Sequence, residues 1–433
     1  MASDIHAAIH AAYRLDSARL IAGLTRLVGD VGLAEELAQE ALVAALEQWP
    51  KSGVPDRPGA WLMAAAKNRA LNSLRRAKML ERKHAELGRE LDADAEQGVD
   101  AVDAAIDDDI GDDLLRLVFT ACHPVLSSES RVALTLRLVG GLSTGEIARA
   151  FLTSEPTIAQ RIVRAKRTLA AEKVPFEVPR GEELAPRLAS VLSVVYLVFN
   201  EGYLATAGDD VMRPELCEDA LRLGRLLAGL MPEEPEVQGL LALMELTASR
   251  AAARTDASGD PILLYAQNRA LWDRVQIARG LDALARGEGC AAAPGRSRGP
   301  YLVQAAIAAC HARAHRAGET DWARIAALYD ELAEMAPSAV VKLNHAIAVS
   351  MAEGPEVGLA LVDALAAEPL LRNYHLLPSA RAEMLVKLGR TAEAAREFSR
   401  AASLTGNARQ RDRLLARAAE LQGAEKQGVS SPD

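Results

Sequence analysis

Thr157, Gln160, Arg161, Arg164 and Arg167 fall on one face of a helical pattern. None of these side chains is a nucleophile. Their shared chemistry is hydrogen bonding: hydroxyl and amide groups pair with base edges, and guanidinium groups grip a guanine edge or a phosphate. Ile158, Ile162, Ala165 and Leu169 occupy the opposite face, so this helix has a core side and a donor-rich side.

The elements that must position these residues are legible in the stretch 142–169, LSTGEIARAFLTSEPTIAQRIVRAKRTL. Ser143 and Glu146 have the spacing of a capping box, with Leu142 and Ile147 as its hydrophobic staple. Ile147 and Phe151 continue an apolar stripe, and Leu152-Thr153 break it. Ser154 can cap a second helix with Pro156 in its first turn, where a missing N–H does least harm. Two short helices around a tight turn, the second basic, predict a helix-turn-helix fitted to a DNA major groove.

A second basic segment lies upstream. Residues 60–84 hold seven Lys/Arg against the single acid Glu81. Trp61, Lys67, Asn68, Arg69, Asn72, Arg75 and Arg76 combine phosphate-neutralising charge, base-pairing amides and an aromatic ring able to support unstacked bases. A solvated basic face with Trp61 in the core explains the same pattern. Before it, residues 29–50 place Leu33, Leu37, Ala41, Ala44 and Ala45 on a packed face. Glu35, Glu36, Gln39, Glu40 and Glu47 are left on an acidic outer surface.

Of the 433 residues, half are hydrophobic but only 4% are aromatic. Ala and Leu carry the apolar load without strand-like alternation, which predicts an all-α fold. The net charge of -9 argues against nucleic acid until its segregation is seen: residues 89–113 alone hold eleven acids and one base. The expected organisation is a helical domain at 1–88, an acidic linker at 89–113 and a helix-turn-helix domain at 114–174. A helical extension at 175–290 and tetratricopeptide-like helices at 291–433 follow. The helix–Gly–helix form around Leu388-Gly389-Arg390 carries the repeat reading, and SVLSVVYLVF (190–199) reads as a fully buried helix segment. No signal peptide or membrane-spanning run is evident, which predicts a cytoplasmic protein. Cys122, Cys217, Cys290 and Cys310 lack CxxC spacing and read as thiols. The Cys122-His123 and Cys310-His311 pairs point apart along a helix and are not read as metal ligands. With no nucleophile–base set, phosphate loop or metal spacing, no enzyme, cofactor or metal is expected.

The combination resembles bacterial sigma factors of the extracytoplasmic-function class. GDVGLAEELAQEALVAALEQW resembles the helix of their second conserved region that grips the clamp of RNA polymerase. The resemblance assigns core-polymerase binding to Asp30, Glu35, Gln39 and Glu40. PGAWLMAAAKNRALNSLRR resembles their promoter-melting and minus-10-reading segment, with Trp61, Asn68, Arg69, Arg75 and Arg76 on its pattern and Lys67 alongside. Asn72 stands where the family usually has Asp, and its amide still hydrogen-bonds. The helix-turn-helix resembles the fourth conserved region, which assigns minus-35 binding to Ser154, Glu155, Thr157, Gln160, Arg161, Arg164, Lys166 and Arg167.

YLVFNEGYLAT (196–206), EPEVQGLLALMELTASRAAAR (234–254), LWDRVQIARGL (271–281) and PYLVQAAIAACHA (300–312) resemble the C-terminal extension of one subgroup, which ends in tetratricopeptide-like helices. The implied partners are core RNA polymerase, promoter DNA and a regulatory protein or ligand at the C-terminal helices, without a membrane. Two other classes compete. A repeat-type adaptor leaves the two basic segments unexplained. A ligand-sensing helix-turn-helix regulator has no need of a strand-opening segment.

Overall fold

A computed structural model describes residues 2–86, 110–151, 153–203, 212–256, 262–406 and 408–428. Helices and turns account for the architecture among the described residues, as the Ala/Leu composition predicts. The chain divides into two compact units, Met1–Val198 and Phe199–Asp433.

The first unit begins with α1 (Ala2–Val28), α2 (Val31–Ser52) and α3 (Pro58–Glu86). Leu20, Ile21 and Leu24 of α1, Leu37, Ala41 and Ala45 of α2, and Leu62, Ala66 and Ala70 of α3 are buried. Alanine at so many of these positions lets the helix axes approach closely. Asp30 starts α2 by accepting the Leu33 N–H at 2.7 Å, and Gly53 stops it at φ +86.

Next come α4 (Ile110–Ala121), α5 (Ser128–Leu138), α6 (Thr144–Ala150) and α7 (Glu155–Ala171). The acidic stretch therefore ends differently from the expectation. Asp112 and Asp113 belong to the first turn of α4, where acids complement the helix dipole. Asp113 is buried and pairs with Arg26 of α1 at 3.1 Å and with Arg116 at 2.7 Å. The remainder of the expected linker, 89–109, lies outside the described residues.

Helix α8 (Leu184–Tyr203) runs through the division between the units. Its first half belongs with α4. Ser190 Oγ donates to the Cys122 carbonyl at 2.6 Å, and Arg187 donates to the Phe119 carbonyl at 3.1 Å. The run 190–199 is not buried all round: Leu197 is 45% exposed.

The second unit continues through α9 (Pro214–Leu230), α10 (Pro235–Ala248), α11 (Arg274–Ala291) and α12 (Pro300–Arg313). α10 packs against α9, α11 and α12, and nearly all of it is buried. A Cβ at Gly239 would lie 2.6 Å from the Leu302 backbone nitrogen, so the α10–α12 contact requires glycine. Glu236 of α10 accepts the N–H groups of Tyr301 and Leu302, both at 3.0 Å, and so caps the start of α12.

Six further helices, α13 (Trp322–Met335), α14 (Ala339–Ala352), α15 (Pro355–Ala364), α16 (Leu376–Lys387), α17 (Thr391–Leu404) and α18 (Ala408–Gly428), each pack on the next. Their core includes Leu343, Leu359, Val362, Leu377, Leu385 and Phe398. The helix–Gly–helix element expected around Gly389 is the α16–α17 turn, with Gly389 at φ +71.

Candidate nucleic-acid interface

The capping box of α6 is complete. The Ser143 N–H donates to Glu146 Oε2 at 2.7 Å, and the Glu146 N–H donates back to Ser143 Oγ at 3.2 Å. Ile147 and Ala148 bury the helix, and the Thr153 N–H donates to the Ala148 carbonyl at 3.0 Å to close the turn. Ser154 then caps α7, accepting the Thr157 N–H at 3.3 Å, while the two hydroxyls lie 2.7 Å apart. Ile158, Ile162, Ala165 and Leu169 are the buried residues of α7, so the expected face is the one that docks.

The rest of α7 turns outward. Glu155, Gln160, Arg164 and Arg167 are exposed, and Thr157 and Arg161 are half-buried. The hydroxyls of Ser154 and Thr157 serve the cap, which leaves Gln160 and Arg161 as the polar side chains nearest the helix start with donors to present. Lys166 is the exception among the basic residues. It is directed at another side chain, Glu35.

α3 presents the second basic segment. Asn68, Asn72 and Arg75 are exposed and Lys67 is half-buried, and the side chain of Arg76 lies outside the described residues. Trp61 meets the buried Trp49 edge to face, with centroids 5.3 Å apart at 71°. Part of its indole is thereby spent on packing. Arg69 donates to the Ala65 carbonyl at 3.2 Å and lies 3.6 Å from Glu40. The outer face of α2 and the basic face of α3 therefore meet through Glu40 and Arg69.

Glu35 departs from the sequence reading. It does not lie on the acidic outer surface with Glu36 and Glu40; its side chain is 3% exposed. Its Oε1 accepts from Arg137 Nε of α5 at 2.6 Å and from Gln39 Nε2 at 2.7 Å, and Lys166 of α7 pairs with Oε2. Burial pushes the Glu35 carboxyl up, but Lys166 and Arg137 outweigh it and hold the carboxyl below its ordinary 4.5. Arg137 also donates to the Leu142 carbonyl at 3.1 Å, tying this cluster to the turn before α6. Sequence reasoning missed Arg137. The available signal was Glu35 itself, a carboxylate inside the stripe Val31, Ala34, Ala38 and Ala41. A charge there requires a partner brought in by tertiary packing. Of the residues assigned to polymerase binding, Asp30 caps α2, Gln39 serves Glu35, and Glu40 is the exposed one.

Residues 13–79 match sigma-70 region 2, and residues 116–169 match sigma-70 region 4. These two regions, carried in this order on α1–α3 and α4–α7, define an RNA polymerase sigma factor. The chain belongs to one family with Uncharacterized protein R00370 of Rhizobium meliloti (strain 1021), to which it is 44% identical over 386 residues, 89% of each chain. Residues 187–288 match a family of unknown function, DUF6596. Probable ECF RNA polymerase sigma factor SigI of Mycobacterium tuberculosis (strain ATCC 25618 / H37Rv) is 29% identical over 169 residues, which span 39% of this chain and 57% of that one. No solved structure matches. None of the described helices is long and apolar enough to cross a membrane.

Proposed function

We propose that the chain is an extracytoplasmic-function-type sigma factor whose second unit regulates when it acts. In this reading the exposed edge of α2 around Glu40 docks on core polymerase. Trp61, Lys67, Asn68, Arg69, Asn72, Arg75 and Arg76 of α3 hold the opened minus-10 strand. Extruding a base costs a few kcal/mol, offset by contacts to the extruded base. α7 reads the minus-35 major groove, with Gln160 and Arg161 at base edges and Arg164 and Arg167 at phosphates. The observation that carries the reading is α7 itself: apolar residues pack one face, and Gln160, Arg164 and Arg167 stand exposed on the other.

No covalent chemistry is required of the chain, which lends polymerase a sequence-reading surface. The test is reconstituted transcription with core polymerase and mapped start sites. The reading expects new start sites that depend on this chain; unchanged start sites overturn it.

A regulatory role for the second unit is tested by truncation. A cut near residue 180 would strip Ser190 and Arg187 from the Cys122 and Phe119 carbonyls at the end of α4, so the cut belongs after Tyr203. Altered promoter output from the shortened chain supports regulation, and identical output refutes it.

A further inference from the structure

We infer that the second unit holds a small-molecule site in a cleft of about 600 Å³ walled by α9 and α11 and floored by α10. Gln238, Leu241 and Glu245 recur at helical spacing along the floor. Arg225 comes from one wall, and Arg279, Asp282 and Arg286 from the other. The volume is that of an ordinary ligand pocket.

Glu245 is the informative residue. It is 1% exposed, and its Oε1 accepts from Arg225 at 2.7 Å. Its Oε2 is buried with no hydrogen-bond partner among the described residues. Buried carboxylate oxygens are rarely left so, because the lost hydration is not returned. Gln238, equally buried, is held on both ends: its amide donates to the Pro232 carbonyl at 3.2 Å and its Oε1 accepts from Arg286 at 3.3 Å. Arg279 makes no ion pair among the described residues.

Three guanidinium groups against two carboxylates leave the lining one positive charge in excess. A free acceptor at the floor and guanidinium donors at the wall together fit one ligand chemistry. It is a compact molecule with an N–H donor at one end, for Glu245 Oε2, and a carboxylate or phosphate at the other, for Arg279 and Arg286. An amino acid and a nucleotide both have that chemistry.

Calorimetric titration of the full chain separates the sources, with the twenty amino acids as one set of probes and AMP and GMP as the other. Inorganic phosphate is the control that carries the anion alone. The expected result is binding by a member of one set, weakened about tenfold by Glu245→Gln and by Arg279→Ala, with phosphate much weaker. Arg279 makes no ion pair among the described residues, so its removal tests the site with little cost to the fold. No binding by either set, unchanged affinity in both variants, or phosphate binding as tightly as the best probe each overturns the inference. Neither polymerase nor DNA is present, so the result is independent of the promoter-reading assignment.

Discussion

Arg161 and Arg167 lie less than two turns apart on α7 but in different settings, half-buried and exposed. In the proposed minus-35 reading, the guanidinium nearer the helix start reaches base edges and the one further along meets the backbone. Arg161→Ala is expected to cost about 1–3 kcal/mol and to relax specificity at one base pair. Arg167→Ala is expected to weaken all sequences alike and to lower the salt slope by about one. Binding titrations across salt concentrations and single-base variants separate the two outcomes.

His311 gives a pH test of the second unit at the same scale. Burial, then the fields of Arg250 and Arg269, push its imidazole from 6.5 down to about 4. The folded chain therefore keeps it neutral where the unfolded chain protonates it. Stability from this group is present above about 6.5 and is lost as pH falls towards 4, about 2 kcal/mol by pH 5. Unfolding free energies from urea titrations at pH 7 and pH 5 should differ by that much more in the parent than in His311→Gln. The sequence shows the histidine but not the two arginines that face it.

At the scale of elements, the helix starts were legible because their signals are local. Ser143, Glu146 and Ser154 cap as their spacing requires, and Ser154→Ala should cost about 1 kcal/mol in the thermal stability of the first unit. The α2–α5–α7 junction was not legible, because Arg137 and Lys166 are 102 and 131 positions from Glu35. Its pH behaviour has the opposite partner chemistry to that of His311 but the same sign. With the Glu35 carboxyl held below 4.5, its stabilisation is present above that value and is lost on further acidification. Tyr13, itself raised to about 12 chiefly by burial, with Arg137 and Lys166, is what the carboxyl faces. Acid titration of Glu35→Gln should show a shallower loss between pH 5 and pH 3 than the parent.

At the scale of the molecule, the charge of -9 says little because acids and bases are segregated. The order of the segments says more. An acidic-faced helix, a basic helix and a capped helix-turn-helix place regions 2 and 4 in register, and the family matches fall on 13–79 and 116–169. The limits of the units were less legible. α8 reads as one apolar helix, yet its first half is pinned to α4 by Arg187 and Ser190, and the compact units divide at Val198. That pinning is why a regulatory truncation belongs after Tyr203.

The all-α class, the caps, the docking face of α7 and the identity of the outward-facing donors follow from the order of residues alone. Each depends on residues within a few positions of one another, where helix geometry fixes who shares a face. Packing makes Glu35 a buried junction between α2, α5 and α7, turns Lys166 towards protein and brings Glu245 and Arg279 to one cleft. Those are pairings across helices, set by packing and by the cost of burying a charge alone, and no local period encodes them.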